Sequence, residues 1–292
     1  MTGAATFPGV GVLYRATDQM PFLELAYAAA DRGFTSLVLG EHTHIPLSSD
    51  PACFPGAGDT IPPTYPRLLD PYMALSFVAA RTPMKIATCT SLPAQHDPIA
   101  LAKALATLDH LSGGRLTLGV GYGWNADELV SHGHEWKNRR AIVREHVELM
   151  RALWTETEAE YHGQYANLER SWSWPKPAQS SIPVLLGAAG RGLAMEAIVQ
   201  WADGWMPGGS ISWIANRLVE LRRRWSEAGR PESGPVIWVV QDPIDDDRFQ
   251  SRLERLASLG VAEVVVAFDT VDKDEILPVL DRYAKLIATN AG

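Results

Sequence analysis

Short apolar runs alternate with longer amphipathic segments along almost the whole chain. The short runs are typical of parallel strands covered on both faces, and the longer segments repeat their apolar residues at helical spacing. The predicted strands cover residues 9–14, 36–40, 85–91, 116–120, 183–187, 203–207, 236–240 and 263–268. The predicted helices cover residues 19–32, 70–81, 98–112, 139–154, 188–201, 211–228, 245–259 and 272–287. Strand and helix therefore alternate from one end of the chain to the other.

This alternation favours an α/β fold, a closed (β/α)8 TIM barrel formed by one domain spanning residues 1–292. An open, doubly wound sheet is the alternative, but the last strand–helix unit is as complete as the first. Three excursions interrupt the rhythm: 45–69 after the second strand, 125–138 after the fourth, and 155–182 before the fifth, which is predicted to be irregular. Because barrel enzymes place their chemistry at the carboxyl ends of the strands, the excursions are the expected lid.

The segment from Leu111 to Trp124 carries the densest set of signals. After a glycine-ended helix and a buried strand, Gly119, Gly121 and Gly123 alternate along the carboxyl end of that strand. Alternate residues face the same side, so three missing side chains predict a hollow in which a flat ring could lie. Packing at the barrel mouth is the alternative. The G-x-G-x-G spacing fits a dinucleotide fingerprint poorly, because no helix opens at the third glycine.

Composition narrows the class of partner. The chain has 292 residues, 46% hydrophobic and 21% charged, with a formal net charge of -8. This is an ordinary globular composition, and the acidic balance argues against nucleic acid. No apolar run approaches the roughly 20 residues needed to cross a membrane. The first eight residues lack signal-peptide features, and two cysteines make no disulfide framework. A cytoplasmic protein acting on a small molecule is the expectation.

Acid–base chemistry is concentrated after the second predicted strand. His42 can change charge near neutral pH and stands beside Glu41, so it is the candidate general acid–base group. A structural hydrogen-bonding role is the alternative. His42 and His44 also form an H-x-H pair, as in metal-dependent barrel hydrolases, and Asp269 follows the last strand. The segments after the fifth and sixth strands add no histidine, so the ligand set is incomplete and no metal is predicted.

Small residues fill the segment 187–192, between the fifth strand and the next predicted helix. The amide groups and the positive dipole end at a helix start suit a phosphate group. A helix cap without a ligand is the alternative interpretation.

Tryptophans are the third group of candidates, since several of the 10 fall outside the predicted strands. Trp124 directly precedes the second excursion, and Trp172 and Trp174 lie in the third. All three could form the wall of a pocket for a bulky apolar substrate. Packing beneath a long loop is the alternative for each, and it is the favoured one for Trp205.

The run LDHLSGGRLTLGVGYGWN, residues 108–125, resembles the signature of the luciferase-like monooxygenase superfamily. The resemblance implies an eight-stranded barrel that binds a flavin or the deazaflavin coenzyme F420. It extends over roughly residues 9 to 206, while the last third matches only in its strand–helix rhythm. Supporting segments occur in the family's order at 33–42, 153–154, 161–163, 175–179, 183–187 and 202–205.

The resemblance, chiefly to the F420-dependent branch, implies a coenzyme ring over the second to fourth barrel strands. It assigns a ring-approaching pair to Glu41 and His42, and the phosphate to the loop after the fifth strand. The family often has a non-prolyl cis peptide in the third strand, which the match places near residues 87–88. The cofactor-binding residues expected on this basis are Glu41, Thr88, Thr90, Gly121, Tyr122, Gly123, Gly187, Ala188, Ala189 and Gly190.

One departure from the family bears on the activity. In a sugar-phosphate dehydrogenase of the deazaflavin branch, the residue after the Tyr-Gly pair is a glutamate used in proton transfer, whereas here it is Trp124. The resemblance implies hydride transfer between F420 and a different, apolar organic substrate. An FMN-dependent monooxygenase of the same fold is the runner-up, followed by a non-catalytic flavin carrier. Family members often pair, so a homodimer is the assembly that the resemblance favours.

Overall fold

The computed structural model describes residues 7–54, 60–244 and 246–290, and its central feature is a closed barrel of parallel strands. The strands are β1 (Gly9–Tyr14), β2 (Ser36–Leu39), β3 (Lys85–Thr88), β4 (Leu116–Val120), β5 (Ala159–His162), β6 (Asn167–Ser171), β7 (Val184–Leu186), β8 (Gly204–Trp205), β9 (Val236–Gln241) and β10 (Glu263–Phe268). The barrel contains β1 to β4 and β7 to β10 in chain order, and β10 closes it by pairing with β1, Gly9 opposite Glu263. The predicted (β/α)8 TIM barrel is confirmed.

Helices surround the barrel, and their starts follow from local sequence. The helices are α1 (Phe22–Asp31), α2 (Pro71–Arg81), α3 (Pro98–Ser112), α4 (Ala126–Ser131), α5 (Arg139–Thr155), α6 (Leu193–Gln200), α7 (Ile211–Glu227), α8 (Asp246–Ser258) and α9 (Lys273–Asn290). Asp70 and Asp97 cap α2 and α3 by accepting backbone N–H bonds, each followed by a proline at the first helical position. None of the described helices is long and apolar enough to cross a membrane.

The core has two parts, as a barrel requires. Most buried apolar side chains lie between the barrel and its helices. A smaller group fills the barrel interior, so the barrel is packed and leaves no pore beneath its rim. This inner group contains Val38, Ala87, Leu185, Met206, Trp238 and Val265.

Several predicted elements differ from the structure at their ends, and two differences are larger. The excursion 155–182 holds an antiparallel hairpin, β5 paired with β6, whose mostly exposed polar residues gave no apolar pattern to detect. The helix predicted from residue 188 begins at Leu193, because Gly190 and Gly192 take positive φ angles of 52° and 53° that a right-handed helix excludes. Residue 245, where another predicted helix begins, and residues 55–59 of the first excursion lie outside the described residues.

The polar residues of the signature run hold the barrel together. The buried carboxylate of Asp109 accepts hydrogen bonds from the Leu116 N–H and from both the backbone and side-chain amides of Gln179. Arg115 donates to the carbonyl groups of Ala79, Thr82, Met84 and Ser112. These bonds tie α3 to its neighbours on both sides, and they fix the start of β4.

Candidate functional site

A cavity of about 750 Å³ opens at the carboxyl ends of the barrel strands. It lies where barrel enzymes carry their active sites. Most of the site residues predicted from the sequence line it, although they come from four separate strand ends. These lining residues are Glu41, His42, Thr90, Gly121, Tyr122, Gly123, Trp124, Gly187, Ala188 and Ala189.

Four predicted residues lie outside this cavity. Thr88 is fully buried, and its hydroxyl donates to the Gly119 carbonyl across the β3–β4 pair. Gly190 is buried against the Trp205 indole. Trp172 and Trp174 are 75% and 58% exposed at the end of the hairpin, where Lys103 donates to the Trp174 carbonyl. The structure therefore does not bring these four residues to the cavity, and their roles in cofactor or substrate binding stay predictions.

The predicted open hollow is largely filled by Thr90. A Cβ atom at Gly121 would overlap the Thr90 hydroxyl, and one at Gly187 would overlap the Thr90 methyl group. Gly119 instead allows the β3 backbone to approach, since a Cβ there would overlap the Thr88 carbonyl oxygen. The glycines therefore seat one small side chain at the floor of the cavity.

The non-prolyl cis peptide bond that the resemblance implied is present in β3's continuation. It joins Cys89 to Thr90, two residues beyond the predicted place at 87–88. The bond precedes the residue that Gly121 and Gly187 flank.

His42 is held on both sides of its ring. Its Nδ1 lies 2.7 Å from Glu128 Oε2, and its Nε2 lies 3.0 Å from the Trp124 indole nitrogen. An indole N–H can only donate, so Nε2 is the acceptor and the ring proton lies on Nδ1. His42 therefore presents a lone pair at Nε2, which is the form a general base needs.

Glu128 is the functional candidate that sequence reasoning missed. It lies in α4, 86 residues from His42 in the chain, and its second oxygen accepts the Thr43 N–H at 3.1 Å. Its own N–H is 3.3 Å from the Asn125 side chain that caps α4. The spacing Asn125-x-x-Glu128 was available as a helix-start signal, but nothing in it pointed to His42.

Glu41 does not offer a carboxylate to the cavity, although it lies at the wall. Its oxygens accept hydrogen bonds from the Leu92 N–H at 2.6 Å, His96 Nε2 at 2.7 Å and the Tyr72 hydroxyl at 3.2 Å. Burial first, and then the charge of Glu41, raise the pKa of Tyr72 well above its ordinary value. Glu41 thus holds the loop after β3 against β2.

The contacts of Glu41 also change the pKa of His96. Burial is the largest effect and lowers its pKa, but the hydrogen bond and charge of Glu41, with the charge of Asp70, outweigh burial and raise the net pKa above the ordinary value. Folding therefore strengthens proton binding at His96.

The raised pKa of His96 predicts a pH-dependent stability difference. The stabilisation is fully present below the ordinary histidine pKa of about 6.5 and is lost as the pH rises through the folded-state pKa. The free energy of unfolding of wild type minus that of His96→Gln should therefore shrink as the pH rises, measured by urea denaturation. Burial is the largest effect on His132, and the pKa of His132 is lowered. His132→Gln is therefore the control, and its difference in the free energy of unfolding should grow as the pH rises. A flat difference for His96 would contradict the prediction.

Arginines contribute positive charge to the cavity lining. Arg139, Arg140 and Arg191 line it, and Arg191 follows the small-residue loop 187–189 in the chain. The Arg140 guanidinium lies 5.3 Å from the centre of the Tyr122 ring. Burial raises the pKa of Tyr122, and Arg140 and Arg139 partly oppose that rise. These three arginines, here called the cationic rim, suit an anionic ligand.

Aromatic rings also contribute to the cavity lining. Tyr65 and Trp124 line the cavity, and Phe54 packs edge-on against both, with ring centres 5.0 and 5.3 Å away. Arg15 lies 5.2 Å from the Tyr65 ring centre and pairs with Asp269 at 2.6 Å. This aromatic wall (Phe54, Tyr65 and Trp124) places apolar surface next to the imidazole of His42.

The H-x-H pair does not converge. His44 contacts the Thr43 hydroxyl and packs against the His132 ring, whereas His42 faces Glu128 and Trp124. Within residues 7–54, 60–244 and 246–290, no three histidine, cysteine or acidic side chains are grouped as metal ligands.

Known proteins resemble this chain over most of its length. Residues 6–264 match the family model described as luciferase-like monooxygenase. The uncharacterized protein Rv0953c of Mycobacterium tuberculosis is 41% identical over 266 residues, which cover 90% of this chain and 92% of that protein. The F420-dependent glucose-6-phosphate dehydrogenase of Amycolatopsis mediterranei is 37% identical over 178 residues, which cover 59% of this chain and 53% of the dehydrogenase.

Solved structures share the fold at low sequence identity. An F420-dependent secondary alcohol dehydrogenase in complex with an F420-acetone adduct has a TM-score of 0.74 at 16% identity, covering 96% of this chain and 98% of that one. The oxygenating constituent of 3,6-diketocamphane monooxygenase from Pseudomonas putida, in complex with FMN, has a TM-score of 0.72 at 15% identity, covering 97% and 98%. The family model and the 41% identical relative decide the assignment: this chain belongs to the luciferase-like monooxygenase family.

Proposed function

We propose that this chain is an oxidoreductase that transfers a hydride between coenzyme F420 and an apolar organic substrate. The observation that carries the proposal is the lining of the cavity, which combines the Nε2 acceptor of His42, the aromatic wall beside it and the cationic rim. Hydride transfer needs two carbons held close together, water kept out, and a proton moved where charge develops. Each of these needs has a group in this cavity.

The residues of the cavity fit a phosphate-bearing tricyclic cofactor. Gly187, Ala188 and Ala189 offer backbone without bulky side chains, and the cationic rim lines the same cavity. Guanidinium groups bind phosphate through paired N–H donors. Thr90 lies between Gly121 and Gly187 and has a small side chain, so the floor of the cavity is flat enough for a planar ring. When bound, the cofactor would supply the carbon that accepts or donates the hydride.

The cationic rim is the reason for placing F420 ahead of FMN. Both cofactors carry a ring and a phosphate, but F420 also carries glutamate carboxylates beyond its phosphate. Three arginines match the larger negative charge better than a single phosphate requires. The F420-dependent glucose-6-phosphate dehydrogenase among the relatives supports the same choice. An FMN-dependent monooxygenase is the second candidate, favoured by the FMN-bound structural neighbour.

The chain's own side chains would divide the remaining work. Tyr65 and Trp124 would cover the reacting carbon and keep water out. His42 would take up or return a proton at Nε2, next to the oxygen of the substrate. Trp124 occupies Nε2 in this structure, so the substrate oxygen would replace the indole N–H there.

Titrating the purified protein with each oxidised cofactor tests the proposal. The cationic rim predicts that F420 binds about tenfold or more tightly than FMN, and that the preference shrinks as salt screens the charges. Cofactor fluorescence measures both affinities. Tighter binding of FMN would overturn the F420 assignment in favour of the monooxygenase.

Matched arginine variants locate the effect. Arg191→Ala should weaken F420 binding by about three- to tenfold, as expected for one charge-assisted contact. Arg170, an exposed arginine of β6 outside the cavity, is the control, and Arg170→Ala should bind F420 like wild type. Bleaching of oxidised F420 by alcohols, or return of its absorbance when reduced F420 is mixed with ketones, then separates an enzyme from a carrier, which would bind the cofactor without turnover.

A further inference from the structure

We propose that Glu128 is the positioning residue for His42, and that it fixes the imidazole as the tautomer protonated on Nδ1. The inference rests on the proposed function for its chemical meaning, but its geometry does not depend on a cofactor. It assigns a role to a glutamate in α4, a short helix of the second excursion.

The contacts of Glu128 determine which nitrogen of His42 carries the proton. Its Oε2 lies 2.7 Å from His42 Nδ1, and its Oε1 lies 3.1 Å from the Thr43 nitrogen. An ionised carboxylate only accepts, so the proton between Glu128 and the imidazole lies on Nδ1. The Trp124 N–H on the opposite side requires the same tautomer. Two independent partners therefore select one form of the ring.

Burial assigns different roles to the two residues. Glu128 is fully buried and lies behind His42, outside the cavity, whereas His42 and Trp124 line it. Glu128 therefore acts on the cavity only through the imidazole. This is the arrangement in which a carboxylate orients a histidine and stabilises the imidazolium that forms when the other nitrogen takes a proton.

The placement also accounts for Trp124. With tryptophan after the Tyr-Gly pair, the cavity has no carboxylate at that point. Glu128 supplies its charge from behind the histidine instead. For oxidation of an alcohol, the substrate O–H bond breaks and an N–H bond forms at Nε2. F420, when bound, would supply the acceptor for the hydride that leaves the substrate carbon with its electron pair, and the substrate would become a carbonyl compound. Glu128 would stabilise the resulting imidazolium and would itself be unchanged.

The test is the tautomer of His42, read by NMR of the cofactor-free protein labelled with 15N-histidine. In wild type, Nδ1 should carry the proton and Nε2 should show the shift of an unprotonated nitrogen. The Trp124 N–H favours the same tautomer, so the decisive variant combines Trp124→Phe with Glu128→Gln. In that double variant one amide cannot accept from both Thr43 and His42, and a second tautomer should become populated. In Glu128→Gln alone, turnover should fall about tenfold or more while cofactor affinity stays within about twofold.

Two further variants separate positioning from folding. Glu145 is a similarly buried glutamate whose carboxylate accepts the backbone N–H groups of Tyr165 and Ala166. Glu145→Gln should lower the melting temperature without changing the His42 tautomer. Trp124→Phe removes the other partner of the ring, and Glu128 should still hold the proton on Nδ1.

A proton on Nε2 in wild type or in Trp124→Phe, or an unchanged tautomer in the folded Trp124→Phe, Glu128→Gln double variant, would overturn the inference. Because the wild-type spectrum alone decides the first point, the test survives a variant that fails to fold. Neither result bears on which cofactor binds, so failure here is distinct from failure of the titration that tests the proposed function.

Discussion

Replacing His42 with alanine should lower the turnover number by about a hundredfold to ten-thousandfold, the range expected for loss of a positioned acid–base group. Cofactor affinity should change by less than about threefold, because the cationic rim and the loop 187–189 lie elsewhere in the cavity. The reason is chemical. Without the imidazole, only water and the Trp124 indole would remain near the reacting oxygen. Neither group takes up a proton at neutral pH as imidazole does.

Steady-state kinetics with F420 and fluorescence titration measure the two effects separately. His44→Ala is the matched control, since His44 lies two residues away but contacts Thr43 and His132 outside the cavity. It should keep turnover within about twofold of wild type. Normal turnover in His42→Ala would remove His42 from the mechanism and leave its contacts with Glu128 and Trp124 purely structural.

The barrel could be predicted from sequence because its strands are buried on both faces. Runs such as Leu116–Val120 and Glu263–Phe268 bury nearly every residue, so they stand out as apolar segments without alternation. Helix starts at Asp70 and Asp97 could be predicted because an aspartate followed by a proline is a local signal. The hairpin of β5 and β6 had no such pattern, since only one face of it is covered.

The part of the candidate site that follows from the order of the strands could be predicted from the sequence. Parallel strands end at one rim, so residues after the strands had to meet there, and His42, Thr90 and Tyr122 do. The sequence does not contain the contact between His42 and Glu128, because it depends on how the second excursion folds over the rim. It also does not show that Thr90 occupies the space beside Gly121. Side-chain packing between distant segments decides both.

Replacing Gly121 with valine should weaken cofactor binding by about tenfold to a hundredfold while the barrel remains folded. The added Cβ would overlap the Thr90 hydroxyl, and overpacking of this kind costs about 1–3 kcal/mol, each 1.4 kcal/mol being a factor of about ten in affinity. Thr90 lines the cavity, so it can yield by moving into the space where the ring would rest. The cost therefore falls on ligand binding more than on folding.

Fluorescence titration and thermal unfolding of the same samples distinguish the two costs. Gly208 is the matched control, because it follows β8, a strand of the same barrel, and a Cβ there meets only the Val240 carbonyl oxygen at 3.8 Å. Gly208→Ala should bind cofactor like wild type. Adding Thr90→Ala to the Gly121→Val variant should restore part of the affinity, since it removes the hydroxyl and methyl that the valine displaces. Undiminished binding by Gly121→Val would mean that the glycines serve strand packing alone, and the ring would then have to lie elsewhere in the cavity.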